Sequence, residues 1–235
     1  MGETTIFADE RLKSKVEEFH SFSPIDLREP AIGELDRLIK RLFDLVVGAL
    51  LLLLLSPVMI GIALLIKVDS RGPVLFRQQR VGEGGRLFWM VKFRSMVEGA
   101  EQEEVRLRHN TADGHLLFAK TPTDSRITCL GRVLRRTSLD ELPQLFNVLG
   151  GEMSLVGPRP ELPWLLEAYE PWQRKRFTVP QGMTGWWQVN GRMKRPDLYQ
   201  RVEDDLFYIR NYSLGLDLRI LWQTIPAVIR GEGAY

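Results

Sequence analysis

Charged and apolar positions are spread unevenly along this chain, and one uncharged run dominates the pattern. Residues 45–66 read LVVGALLLLLLSPVMIGIALLI, without a single charge. A run of about 20 apolar residues matches the hydrocarbon thickness of a bilayer when helical. A buried soluble helix is normally shorter and carries a polar stripe, which this run lacks. The pattern therefore predicts a membrane-inserted helix over 36–68, with a fully buried core helix as the alternative. Ser56-Pro57 lies in its middle. Proline removes a backbone donor and clashes with the preceding turn, whereas Ser56 can bond the freed carbonyls. Arg37, Lys40 and Arg41 precede the run, and Lys67, Arg71, Arg77 and Arg80 follow it. Lys and Arg collect on the cytoplasmic side of a membrane. With both flanks basic, two topologies fit: a helix broken at Ser56-Pro57 that turns back, and a kinked single span.

The rest of the chain alternates shorter patterns. Residues 1–35 read as a loosely ordered arm, with one short helix near 12–19. Leu35, Leu38, Ile39 and Leu42 recur at helical spacing and form an amphipathic lead-in suited to the membrane interface. Residues 74–81 and 86–94 flank Gly82-Glu83-Gly84-Gly85, which predicts a β-hairpin. Alternation along the second strand sends Lys92 and Arg94 to one face, either as a solvated face or as a phosphate contact. Residues 95–108 read as an exposed helix and 110–125 as a loop. Leu142, Leu145, Phe146 and Leu149 predict a helix stopped by Gly150-Gly151. Near the end, Leu218, Leu221, Trp222, Ile225 and Ile229 form one helical face opposite Asp217, Arg219 and Gln223. That helix either packs on the domain or lies on a membrane.

Composition narrows the function classes. The 235 residues carry 32 basic and 30 acidic side chains, a formal net charge of +2. A nucleic-acid binder would concentrate basic charge, so that class is excluded. The single Cys129 rules out an internal disulfide framework and suits a reducing compartment. The apolar run begins deep, behind Glu3, Asp9 and Glu10, so a cleavable signal peptide is not expected. His109 and His115 lack partners at ligand spacing, so neither is a zinc site. The soluble part is expected to be cytoplasmic and tethered to the membrane.

The densest chemistry lies over 130–146. Ser138 and Glu141 have capping-box spacing, which would make Glu141 a cap partner and Asp140 a first-turn carboxylate. The alternative is catalytic. Adjacent helical carboxylates diverge by about 100°, so one can attack while the other holds a metal. A helix N-terminus attracts phosphate, and Arg132, Arg135 and Arg136 lie just upstream, where arginine suits bidentate phosphate contacts. An aspartate can attack phosphorus and form an acyl phosphate. Pro158 and Pro160 stiffen the chain around Arg159. The segment 182–192 combines a glycine-punctuated loop, a short strand and an Asn-Gly turn, and places Arg192 as a further anion contact. Trp164, Trp172, Trp186 and Trp187 fit either a membrane interface or a core.

These pieces, read in order, resemble the bacterial polyprenyl-phosphate phosphoglycosyl transferases of the monotopic type, within the bacterial sugar transferase family. The carriers are KRLFDLVVGALLLLLLSP, LFRQQRVGEGGRLFWMVKFRSM, LGRVLRRTSLDELPQLFNVLGGEMSLVGPRP and GMTGWWQVNGR. The resemblance implies an α+β fold: a small, mostly helical catalytic domain over 69–235 with a β-hairpin. A re-entrant membrane helix broken at Ser56 and Pro57, with interfacial amphipathic helices, would anchor it on the cytoplasmic face of a bacterial inner membrane. It also implies a reaction. Asp140 attacks the sugar-bearing phosphate of a UDP-sugar, UMP leaves, and polyprenyl (undecaprenyl) phosphate takes the phosphosugar, initiating glycan or exopolysaccharide assembly. Glu141, with Asp140, is implied to hold Mg²⁺. Lys92, Arg135, Arg159 and Arg192 match basic positions around the phosphates, with Arg94 beside Lys92. Membrane lipids, downstream glycosyltransferases and a second copy of the chain are the implied partners. The chain departs from the pattern at Val179-Pro180-Gln181-Gly182, where many members carry a basic residue. A catalytically silent membrane scaffold is the competing reading.

Overall fold

The computed structural model describes residues 32–97, 99–100, 125–190 and 198–231. The predicted helix over 95–108 falls largely outside them, as do most of the 1–35 arm, the 110–125 loop, His109 and His115. The long apolar run is one helix, α1 (Glu34–Asp69), with Pro57 inside it. Where the sequence predicts a break, the helix is uninterrupted. The local chemistry explains this. Pro57 has no N–H for the carbonyl of Leu53, and Ser56 Oγ donates to that same carbonyl at 2.8 Å, replacing part of what proline removes. Among the described residues α1 is the single helix long and apolar enough to cross a membrane.

One stripe of α1 packs on the rest of the protein along nearly its whole length. Lys40, Asp44, Gly48, Met59, Ile62 and Ile66 are buried, in steps of three or four residues with one longer step of about three turns between Gly48 and Met59, as one helical face requires. The sequence places Lys40 and Arg41 in the basic flank before the apolar run, and in the fold the protein itself engages both. Lys40 pairs with Asp217 at 2.7 Å, both fully enclosed. Arg41 donates to the carbonyls of Val148 and Leu149 at 2.6 and 2.8 Å, and Asp44 accepts from Leu155 N–H at 3.0 Å. Meanwhile Leu35, Leu38, Ile39 and Leu42, the apolar side of the lead-in, face outward.

The predicted hairpin forms. β1 (Leu75–Val81) pairs antiparallel with β2 (Leu87–Phe93), from Leu75 opposite Phe93 to Val81 opposite Leu87. A tight turn over Glu83–Gly85 joins them, with Gly84 at φ 65°. Phe88 and Met90 are buried, so Lys92, on their face, points into the protein. Next come α2 (Cys129–Arg136), a 3₁₀ turn over Leu139–Glu141, and α3 (Gln144–Gly150), ended by Gly151 at φ 83°. β3 (Ser154–Val156) pairs in parallel with β4 (Gly182–Thr184). Two 3₁₀ segments, Pro163–Ala168 and Gln173–Phe177, lie between those strands. The sequence expects a short strand within 182–192; it is β4, and Trp186–Asn190 then forms a short helix, α4. The last described elements are α5 (Leu198–Arg210) and α6 (Leu214–Arg230).

Two apolar clusters hold these elements. The larger includes Leu145, Val148, Leu155, Phe177, Val202 and Ile220. The smaller joins Met59, Ile62 and Ile66 of α1 to Phe93 and Leu134. α6 turns Asp217 and Ile220 inward, with Leu216 and Leu221 packed on the core. Trp222 is 76% and Ile229 79% exposed, with Leu218 and Ile225 beside them. The helix thus keeps a second apolar stripe facing out.

Candidate active site

The Asp140-Glu141 pair sits at a break between helices, and the break is set by Ser138. Ser138 has φ 55°, a left-handed conformation uncommon outside glycine. In that conformation it makes no side-chain cap bond, so the expected capping box does not form. Glu141 is thereby released from local duty and reaches two distant cations. Its Oε1 accepts from Lys92 Nζ and from Arg159 Nη2, each at 2.8 Å.

Lys92 arrives there because α3 is stitched to the open edge of β2. Asn147 Oδ1 accepts from Val91 N–H at 3.0 Å, and its Nδ2 donates to the Trp89 carbonyl at 2.8 Å. One buried amide thus imitates a neighbouring strand. Asn147 stands inside the predicted helix as an unremarkable polar residue, and no local signal marks this role.

Arg159 arrives on the turn after β3, where backbones come very close. A Cβ on Gly157 would lie 2.4 Å from the Pro180 carbonyl oxygen, and one on Gly182 would lie 2.1 Å from Gly157 N. Only glycine permits that approach. At the departure from the family pattern, Gln181 is buried, and its Nε2 donates to the carbonyls of Arg176 and Val179 at 3.0 and 2.9 Å. Its side chain therefore braces the segment that carries β4.

The two carboxylates are electrostatically unlike. Burial raises Asp140 above the usual aspartate range, and the charge of Glu141 adds to the rise. Lys92, Arg135 and Arg159 oppose it without cancelling it. Burial also acts against ionised Glu141, but there Arg159 and Lys92 outweigh it and hold the group well below the usual range. For Lys92, burial lowers the ammonium's affinity for its proton, with Glu141 opposing. Among the described residues, no hydrogen bond reaches the Asp140 carboxylate. One carboxylate is thus tied down as an anion, while its neighbour is unengaged and more basic.

Arg135, in the last turn of α2, contributes its field at Asp140. Arg94 belongs elsewhere: its guanidinium donates to the carbonyls of Ser70 and Arg71 at 2.7 and 2.8 Å and to Ser70 Oγ. The strand ends at Phe93, so Arg94 leaves the face of Lys92 and secures the end of α1. Arg94 is thus engaged at the end of α1 and is not among the cations that meet Glu141. Arg192 lies outside the described residues. A cavity of about 60 Å³ opens beside Glu141 and Arg159, floored also by Ser138 and walled by Met183 and Val189 and by Ala227 and Val228 of α6.

The chain is similar to several known proteins. The undecaprenyl-phosphate glucose phosphotransferase of Komagataeibacter xylinus is 45% identical over 231 residues, 94% of this chain and 41% of that protein. The undecaprenyl-phosphate galactose phosphotransferase of Salmonella typhimurium strain LT2 is 43% identical over 202 residues, 85% and 42% of the two. The exopolysaccharide production protein ExoY of Rhizobium meliloti is 38% identical over 208 residues, 87% and 92% of the two. The chain thus spans less than half of the two phosphotransferases and nearly all of the third relative. Residues 35–231 match the profile described as bacterial sugar transferase, so the chain belongs to the bacterial sugar transferase family.

Proposed function

We propose that this chain transfers a phosphosugar from a UDP-sugar to polyprenyl phosphate through a covalent intermediate on Asp140. The observation that carries this is the asymmetry of the carboxylate pair. Glu141 is neutralised by Lys92 and Arg159, which makes it a weak nucleophile. Asp140 is unengaged among the described residues, raised in basicity and set among the same cations. An Oδ of Asp140 attacks the phosphorus that bears the sugar, the bond to UMP breaks, and UMP leaves with the electron pair. A phosphate oxygen of the polyprenyl phosphate then attacks the same phosphorus. The aspartate leaves as carboxylate, and a polyprenyl diphosphosugar is formed. Lys92, Arg135 and Arg159 offset phosphate charge at both steps.

Mg²⁺ fits the donor set. Asp140 and the second oxygen of Glu141 are hard oxygen ligands without hydrogen bonds among the described residues, and they would hold it. Such an ion typically takes one or two carboxylates and completes its shell with water and substrate phosphates. When bound, Mg²⁺ supplies neutralisation of phosphate charge.

The outward apolar stripes of α1 and α6 support a monotopic seat on the membrane, with the lipid acceptor approaching past Ala227 and Val228. The burial of Lys40, Asp44, Met59, Ile62 and Ile66 against the domain supports α1 lying along it, and the topology of its ends is open to a labelling test. Cysteines introduced at Gly2 and Gly233 should both be labelled from the side that labels the exposed native Cys129. Labelling of Gly2→Cys only from the opposite side would make α1 a span.

The reaction is tested by incubating the membrane-embedded chain with polyprenyl phosphate and a panel of UDP-sugars. UMP is the expected product, and excess chelator should abolish its release. UDP in place of UMP would indicate sugar transfer without phosphate. No nucleotide from any donor would favour the scaffold reading, and full activity in chelator would remove the metal.

A further inference from the structure

The turn that presents Arg159 has few means of holding itself. Pro158 and Pro160 lack N–H groups, so they add acceptors without donors. Four successive carbonyls are instead held from outside. Pro158 accepts from Gly182 N–H at 2.8 Å and Glu161 from Val81 N–H at 2.9 Å. Pro160 accepts from Arg80 Nη1 at 3.2 Å. The carbonyl of Arg159 itself accepts from Arg176 Nη2 at 2.9 Å.

Arg176 is 1% exposed and is the most heavily engaged side chain of this region. Its Nη1 donates to Glu161 Oε1 at 2.9 Å and to the Tyr169 hydroxyl, and its Nη2 meets Asp205 Oδ2 at 2.7 Å. Buried ion clusters of this kind are weak sources of stability, because desolvation offsets much of the attraction. Their return is geometric: a planar guanidinium with several fixed partners holds its remaining N–H groups in set directions. Here one of those N–H groups is spent on the backbone of the residue that reaches Glu141.

We propose that Arg176, clamped by Glu161 and Asp205, is a positioning residue that sets the direction of Arg159 toward Glu141 and the transferring phosphate. The proposal rests on the phosphosugar-transfer reading for its kinetic consequence, but not for its geometric one. Lysine at 176 keeps the charge and loses the fork, and asparagine at 205 loosens the clamp while keeping its size.

Two readouts test it on the full chain in lipid nanodiscs. The first is modification by phenylglyoxal, read residue by residue by peptide mass spectrometry. Arg176→Lys and Asp205→Asn should each speed adduct formation at Arg159 several-fold. Arg41, held by the Val148 and Leu149 carbonyls, should stay slow. Unchanged modification of Arg159, or an equal rise at Arg41, would overturn the proposal, because the second result means general loosening. The second readout is a double-mutant cycle on kcat/KM for UMP release. Arg176→Lys alone should cost about 10- to 100-fold, the scale of a misplaced contact. Placed on Arg159→Lys it should cost almost nothing further, since its action runs through Arg159. Multiplicative losses would also overturn the role. A wild-type chain that releases no UMP would instead reject the transfer reading, leaving the modification experiment to decide the positioning.

Discussion

Asp140→Asn is expected to slow UMP release by about 10³-fold or more, about 4 kcal/mol of barrier, while the protein stays folded. The two halves of this expectation have one cause. Asp140 is a buried carboxylate whose ionised form is penalised by its surroundings, so exchanging it for a neutral amide of the same shape relieves a cost. The melting temperature in nanodiscs should hold or rise, as is common where a site is arranged for chemistry rather than stability. With donor alone, wild-type protein should retain labelled sugar phosphate on the peptide containing Asp140, and the variant should not. Normal transfer by Asp140→Asn would reject the nucleophile assignment. Glu141→Gln makes a useful contrast, because it leaves Lys92 and Arg159 facing each other without the anion that now lies between them.

Gly182→Ala should be more damaging to the fold than any change within the carboxylate pair. The added methyl would sit 2.1 Å from Gly157 N, 2.5 Å from the Thr184 carbonyl oxygen and 2.6 Å from the carbonyl carbon of Val156. All three are backbone atoms, so no side chain can swing aside. A loss of about 3 kcal/mol or more is expected, the upper range for an overpacked site, with a comparable collapse of activity as Arg159 moves with its turn. Gly61→Ala is the control, with nothing within 4 Å of its new methyl; it should leave melting temperature and activity nearly unchanged. Equal behaviour of the two variants in thermal unfolding would contradict the interlocked backbones at Gly157 and Gly182.

How much of this is legible in the sequence depends on the range of the interaction. The hairpin is, because alternation and a glycine turn are local and the register of Leu75–Phe93 follows from them. The long apolar helix is legible for the same reason. The capping box misleads. Its spacing is right, but the left-handed Ser138 and two cations 18 and 49 residues away compete for Glu141 and prevail. The partners of Arg94 and Lys40 are equally hidden, since each lies across the fold. The faces of α6 are visible in its periodicity, yet Asp217 turns inward with Ile220 and meets Lys40, 177 residues away. No window along the chain contains that information.

The same ion pair imposes an order on biosynthesis. Lys40 and Asp44 emerge from the ribosome at the root of an apolar helix, long before β3 and α6 exist to receive them. At about 5–20 residues per second, the wait for Asp217 is roughly 10–35 s. Through that interval the helix carries charges whose protein partners have not been made, and water or headgroups must hold them. Docking of α6 then brings Asp217 to Lys40. Slowing translation between β4 and α6 should prolong the interval in which Lys40 lacks this partner, and with it the nascent helix's exposure to proteases.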